Sequence, residues 1–168
     1  MIWGLSVAAV ILGLVGALLW LGAREHRGIK RELEEIARLP EAKARTIALG
    51  LLARGDLFTS TLATEPLLNA ALPAGVRELL GRYEEIGRNE FWIGRAALAQ
   101  CARHAGFLKI GEDAEFEEIL VRPGDERIHL SSGEGPIREP TETVPSIWHQ
   151  LIIVSGVKLQ DVTLPPTH

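Results

Sequence analysis

Five histidines, one cysteine and a dense run of carboxylates are the side chains in this 168-residue chain whose types could do chemistry. His26, His104, His129, His149 and His168 show no i, i+4 pair and no Glu-x-x-His pattern, so the spacing implies no metal. His129 falls on the strand face opposite Ile128 and Leu130, alongside Glu118 and Glu126, and reads as a solvent-facing histidine. Cys101 and His104 could form a thiolate pair on one helix face, but their alanine neighbours offer no third group to orient the imidazole. Ser131-Ser132-Gly133 is no nucleophile elbow, and Gly133-Glu134-Gly135 lacks the lysine and helix of a phosphate cradle. The sequence therefore names no catalytic residue and no cofactor.

The carboxylates are different. Glu112, Asp113, Glu115, Glu117 and Glu118 crowd into seven positions, and Asp125 and Glu126 follow at a turn. Like charges this close repel, so they either keep an edge strand soluble or meet a cation-rich surface. On the second reading these seven residues are partner-binding residues for a protein with a basic surface. Neighbours on a strand point to opposite faces, so Glu117 and Glu118 do not share a ligand.

The elements that position these groups follow from periodicity. Ile29, Leu33, Ile36 and Leu39 describe an amphipathic helix broken at Pro40, and a second helix from Pro40 stops at Gly55. That stop explains Arg54-Gly55-Asp56 without any adhesion role. Thr64-Glu65-Pro66 opens a short turn through Leu67 to Leu72, and Val76, Leu79, Leu80, Tyr83 and Ile86 share one face of a helix ending at Gly87. Phe91-Trp92-Ile93 reads as a buried strand, 96–105 as a helix, and Phe107 to Gly111 as a strand entering a turn. Residues 116–122 and 127–130 form a hairpin across Pro123-Gly124-Asp125. An exposed loop at 131–143 precedes a helix from Pro145-Ser146, and 157–164 could add a last strand.

Ahead of all this, Ile2 to Ala23 hold 22 residues without a charge, long enough to cross a bilayer as a helix. Trp3 and Trp20 sit at interface positions, and Arg24, Arg27, Lys30 and Arg31 follow. The reading is a single-pass signal-anchor in the inner or plasma membrane, N-terminus outside and the C-terminal domain cytoplasmic. Ala9, Gly13, Gly16 and Ala17 offer a small-residue face for weak homo-association. The expected domains are the anchor at 1–23, a juxtamembrane helical segment at 24–72 and an α+β domain at 73–168. The fold class is thus α+β, with a transmembrane helix and helical stalk before a small mixed helix and antiparallel-sheet domain.

Charge is uneven: residues 24–110 carry 14 basic and 11 acidic side chains, whereas 111–168 carry 4 basic and 11 acidic, a net of -7. That acidic half argues against nucleic acid and for a cationic partner. The single cysteine allows no internal disulfide.

The helix Leu72-Pro73-Ala74-Gly75-Val76-Arg77-Glu78-Leu79-Leu80-Gly81-Arg82-Tyr83, the strand-turn Phe107-Leu108-Lys109-Ile110-Gly111-Glu112-Asp113, the hairpin, and Ser146-Ile147-Trp148-His149-Gln150-Leu151-Ile152 together resemble the SUKH superfamily. The resemblance covers about residues 72–155. It implies an α+β domain, and a bacterial immunity protein that binds and neutralises a toxin. The resulting expectation is a membrane-anchored protein-interaction module, immunity-like, meeting a basic partner. An accessory single-span subunit of a membrane complex and a hydrolase with an unrecognised site are the other readings.

Overall fold

The computed structural model describes residues 28–60, 62–63, 67, 71–114, 118–131 and 142–162. Two units divide the chain, 1–35 and 36–168. In the first, the described residues are helical, and an exposed Arg31–Glu35 pair at 3.1 Å links successive turns.

In the second unit, Pro40 stops the preceding helical stretch and begins α1 (Glu41–Arg54), whose first amides find the Pro40 carbonyl. Gly55 ends α1 at φ 77, a left-handed conformation that lets its N–H and that of Asp56 return to the Leu52 and Leu51 carbonyls. Helices α2 (Ala74–Arg82) and α3 (Ile147–Ser155) complete the helical layer. Seven strands follow one another in sheet order as in chain order, every neighbour antiparallel: β1 (Phe58–Thr59), β2 (Glu85–Arg88), β3 (Phe91–Gly94), β4 (Leu108–Glu112), β5 (Glu118–Val121), β6 (Ile128–Ser131) and β7 (Glu142–Val144).

One sheet face carries the core. Ile86, Ile93, Ile110, Ile119, Val121, Ile128 and Leu130 pack with Ile47 and Leu51 of α1, Leu79 and Leu80 of α2, and Trp148, Leu151 and Ile152 of α3. Burial of each such side chain contributes about 1.5–3 kcal/mol. Gly75 of α2 lets α3 approach, since a Cβ there would stand 2.8 Å from the Trp148 indole nitrogen. His149 ties α3 to the chain before α1: Nε2 donates to the Leu39 carbonyl at 3.0 Å, which leaves Nδ1 to accept the Ser146 hydroxyl at 2.8 Å.

The fold class read from the sequence is corrected here. Among the described residues no helix is long and apolar enough to cross a membrane. The 14 residues of α1 rise about 21 Å, short of the roughly 30 Å of a hydrocarbon core. The span read at 2–23 and its Ala9, Gly13, Gly16 and Ala17 face lie outside the described residues. The described chain is α+β without a membrane-crossing helix, and the single-pass membrane location is not supported. A stalk of helices alone up to residue 72 is corrected too, because β1 lies within it: Leu57 is buried in the core, and Phe58 and Thr59 pair with Gly87 and Ile86.

Other expectations shift locally. The helix read through Ile86 ends at Arg82, and Ile86 instead sits at the centre of β2, its partner Ile93 drawing it into the sheet. The helix read at 96–105 is a 3-10 turn at Arg95–Ala99 followed by irregular chain, and the strand at 157–164 is a 3-10 turn at Leu159–Asp161. The short helical turn read around Thr64-Glu65-Pro66 lies outside the described residues.

Candidate functional site

The other sheet face holds the polar chemistry. Because Ile86, Ile93, Ile119, Ile128 and Leu130 face the helices, Glu85, Gly87, Trp92, Glu118, Leu120, His129 and Ser131 face away from them. The connection from β3 to β4, residues 95–107, crosses this outer face as a strap. Its His104 Nε2 lies 2.6 Å from Ser131 Oγ, and the Glu118 carboxylate accepts the Arg103 N–H at 3.1 Å. Phe107 meets His129 edge to face at 5.0 Å between centroids, with the Arg122 guanidinium 4.6 Å over its ring. Leu120 and Ala97 are fully buried between strap and sheet.

This layer is what buries His129, read from sequence as solvent-facing: its strand face is the outer one, but the strap covers it. His129 Nε2 makes no hydrogen bond and has Asp125 Oδ2 at 3.6 Å. Burial pushes its pKa down, against the pull of Asp125. Asp125 itself is held at about 2, chiefly by hydrogen bonds from Arg127. His104 and Ser131 are both buried and bonded to each other, while Cys101 is exposed. The Ser131–His104 pair thus holds the strap down; Glu118, paired with Ser131 in the register, accepts a backbone amide. Among the described residues no group of three His, Cys, Asp or Glu side chains could hold a metal ion.

The seven carboxylates singled out by sequence do not form one patch. The β4–β5 connection lies at one end of β5 and the β5–β6 turn at the other, so Glu112 and Asp113 stand apart from Asp125 and Glu126 by the length of that strand, roughly 13 Å. Glu112 pairs with the buried Lys109 at 2.5 Å. The two are three apart in sequence and would face opposite ways in a regular strand; an irregular register between Lys109 and Gly111 restores them to one face. Glu118 is buried, and Asp125 is bound by Arg127 at 2.7 Å. Glu126 accepts the Ala74 N–H at 3.0 Å, capping α2 where Pro73 supplies no side-chain cap. Glu115 and Glu117 lie outside the described residues.

Among the described residues the strap does not extend over Phe58 and Leu62 at the β1 edge of the outer face, and sequence reasoning did not single this edge out. Phe58 is 61% exposed and Leu62 70% exposed, Tyr83 and Trp92 are half-buried, and Glu85 lies among them. The signal available was alternation: with Ile86 and Ile93 inward, Glu85, Gly87 and Trp92 must face out. No family model, curated protein or solved structure matches this chain.

Proposed function

We propose that the 36–168 unit is a protein-interaction module, immunity-like as the SUKH resemblance suggests, whose partner presents a basic surface. The observation that carries this reading is the outer edge of the sheet at β1–β3, where Phe58 and Leu62 lie exposed beyond a strap that packs over Glu118, His129 and Ser131. Exposed apolar side chains grouped in this way mark interaction surfaces. The net charge of -7 over residues 111–168 supports a cationic partner. Of the seven carboxylates, Glu112, Glu118, Asp125 and Glu126 make contacts within the fold, and Glu115 and Glu117 are those we assign to that partner. The full chain used as bait in extract of its own cells, followed by binding of the purified candidate, tests the reading. A basic protein should bind saturably with an on-rate that falls as salt rises. A partner whose on-rate ignores salt, or the absence of any saturable partner, refutes it.

A further inference from the structure

We infer that the strap is a proton-operated cover: when His129 takes up a proton, residues 100–107 lift from β5 and β6 and open the polar layer beneath them to water. Register sets out that layer. Lys109, Leu120, His129 and Thr143 form one row across β4–β7, each opposite the next, and Glu118 stands opposite Ser131 two residues further along. With the strap down, the Glu118 carboxylate accepts the Arg103 N–H and Ser131 Oγ bonds His104 Nε2. Each of these groups can exchange its partner for water, so uncovering them costs far less than uncovering an apolar core. His129 is the exception, because its Nε2 is buried without a hydrogen bond.

Phe107 is the part of the strap that lies against the His129 ring. Just before it, Gly106 sits at φ 82 in the turn that returns the Phe107 N–H to the His104 carbonyl at 3.2 Å; a Cβ there would meet nothing within 4 Å, so the hinge has open space around it. The 3-10 turn at Arg95–Ala99 stays in place, anchored by Arg95 Nε on the Leu80 carbonyl at 2.6 Å. The charges facing His129 do not hold a cation under the cover. Asp125, from the β5–β6 turn, is 3.6 Å away but already bound by Arg127, and both Arg127 and Arg122 at the end of β5 repel a proton. Lys109 on β4 is neutralised by Glu112, Glu118 on β5 is occupied by the Arg103 amide, the strap's His104 is bonded to Ser131, and Thr143 on β7 brings no charge. Burial therefore outweighs Asp125, and the imidazolium is better solvated with the Phe107 end lifted. Since opening takes up one proton, the open fraction should rise by up to about tenfold per pH unit below the ordinary pKa of 6.5.

Native-state amide hydrogen exchange on the full chain labelled with nitrogen-15, followed from about pH 7.5 to 5.5 and corrected for intrinsic rates, tests the cover. The Arg103 and Phe107 amides should exchange through an opening that low urea leaves unchanged and that quickens by up to about tenfold per pH unit below 6.5. Leu51 of α1 and Leu80 of α2 should exchange more slowly and with a steep urea dependence, because they open only with the whole core. His129→Leu should remove the pH dependence at Arg103 and Phe107, whereas His104→Gln, which keeps a donor for Ser131, should preserve it. Strap amides that exchange only together with Leu51 and Leu80, or that quicken equally in His129→Leu, overturn the inference. Loss of the pH dependence in His104→Gln overturns it as well, and that variant is read with His129 intact, so the test stands even where His129→Leu does not fold.

Discussion

Replacing Glu112 by glutamine should destabilise the fold more than any other single change among the acidic residues of the β4–β5 connection. The Lys109 side chain is 9% exposed, and its ammonium is neutralised by Glu112, whose own side chain is 42% exposed. Removing one partner of a fully buried pair costs about 3–5 kcal/mol, whereas an exposed pair contributes about 0.2–1 kcal/mol. With one partner buried and the other near the surface, Glu112→Gln should cost about 1–3 kcal/mol, most of it from stranding the ammonium beneath the strap. At about 2–4 °C per kcal/mol for a domain of this size, thermal melting should fall by about 2–12 °C. Lys109→Met/Glu112→Gln should recover most of the loss, because a linear apolar side chain fills the same space without a charge. Urea melts of the wild type, both single variants and the double variant give the coupling directly. A Glu112→Gln penalty below about 0.5 kcal/mol, or a double variant no better than that single one, would show that Lys109 is solvated and that the bulge does not bury it.

Three further outcomes follow from named contacts. Gly75→Ala should destabilise by about 1–3 kcal/mol, since the added methyl meets Trp148 and Ile147, while Gly50→Ala and Gly81→Ala, with nothing within 4 Å, should stabilise their helices by about 0.5–1 kcal/mol each in the same melts. For His129 the folded state disfavours the proton, so its contribution to stability is full above the ordinary pKa of 6.5 and is lost as pH falls below it. Asp125, facing it, loses its contribution in a separate window as pH falls from 3.8 towards about 2, and Arg122 and Arg127 oppose His129 protonation throughout. His129→Leu should flatten the stability profile as pH falls below about 6.5 and leave the acid window of Asp125 in place; an unchanged profile would mean that burial does not disfavour the His129 proton. Glu115→Gln/Glu117→Gln should slow association with the basic partner, read by surface plasmon resonance, and an undiminished on-rate would reduce these carboxylates to solvation.

Sequence reasoning reached the elements whose local signals and tertiary roles agree. Gly55 does end a helix in the left-handed conformation, Pro73 and Ser146 do precede helices, and the hairpin around Gly124, at φ 80, joins two strands as read, with the second running one residue further, to Ser131. It failed where a partner element decides. Ile86 continues the helical spacing of Val76, Leu79 and Tyr83, so only pairing with Ile93 reveals β2. β1 is two residues long and carries no periodicity at all; its strand character comes from β2.

The candidate site divides along the same line. Counting carboxylates located acidic residues but could not separate those facing a partner from those serving the fold, because two of the serving contacts are long-range: Glu126 caps a helix that begins 52 residues earlier, and Glu118 holds a backbone amide 15 residues before it. His129 shows the converse, for its outward parity was read correctly and its exposure was not, since no local pattern announces that residues 95–107 will fold over that face. The strap thus converts an ordinary amphipathic sheet into one with a buried polar layer on β4–β6 and a bare apolar rim on β1–β3. That asymmetry explains why four of the seven conspicuous carboxylates serve the fold, while the less conspicuous alternation of Glu85, Gly87 and Trp92 marks the outer face of β2 and β3.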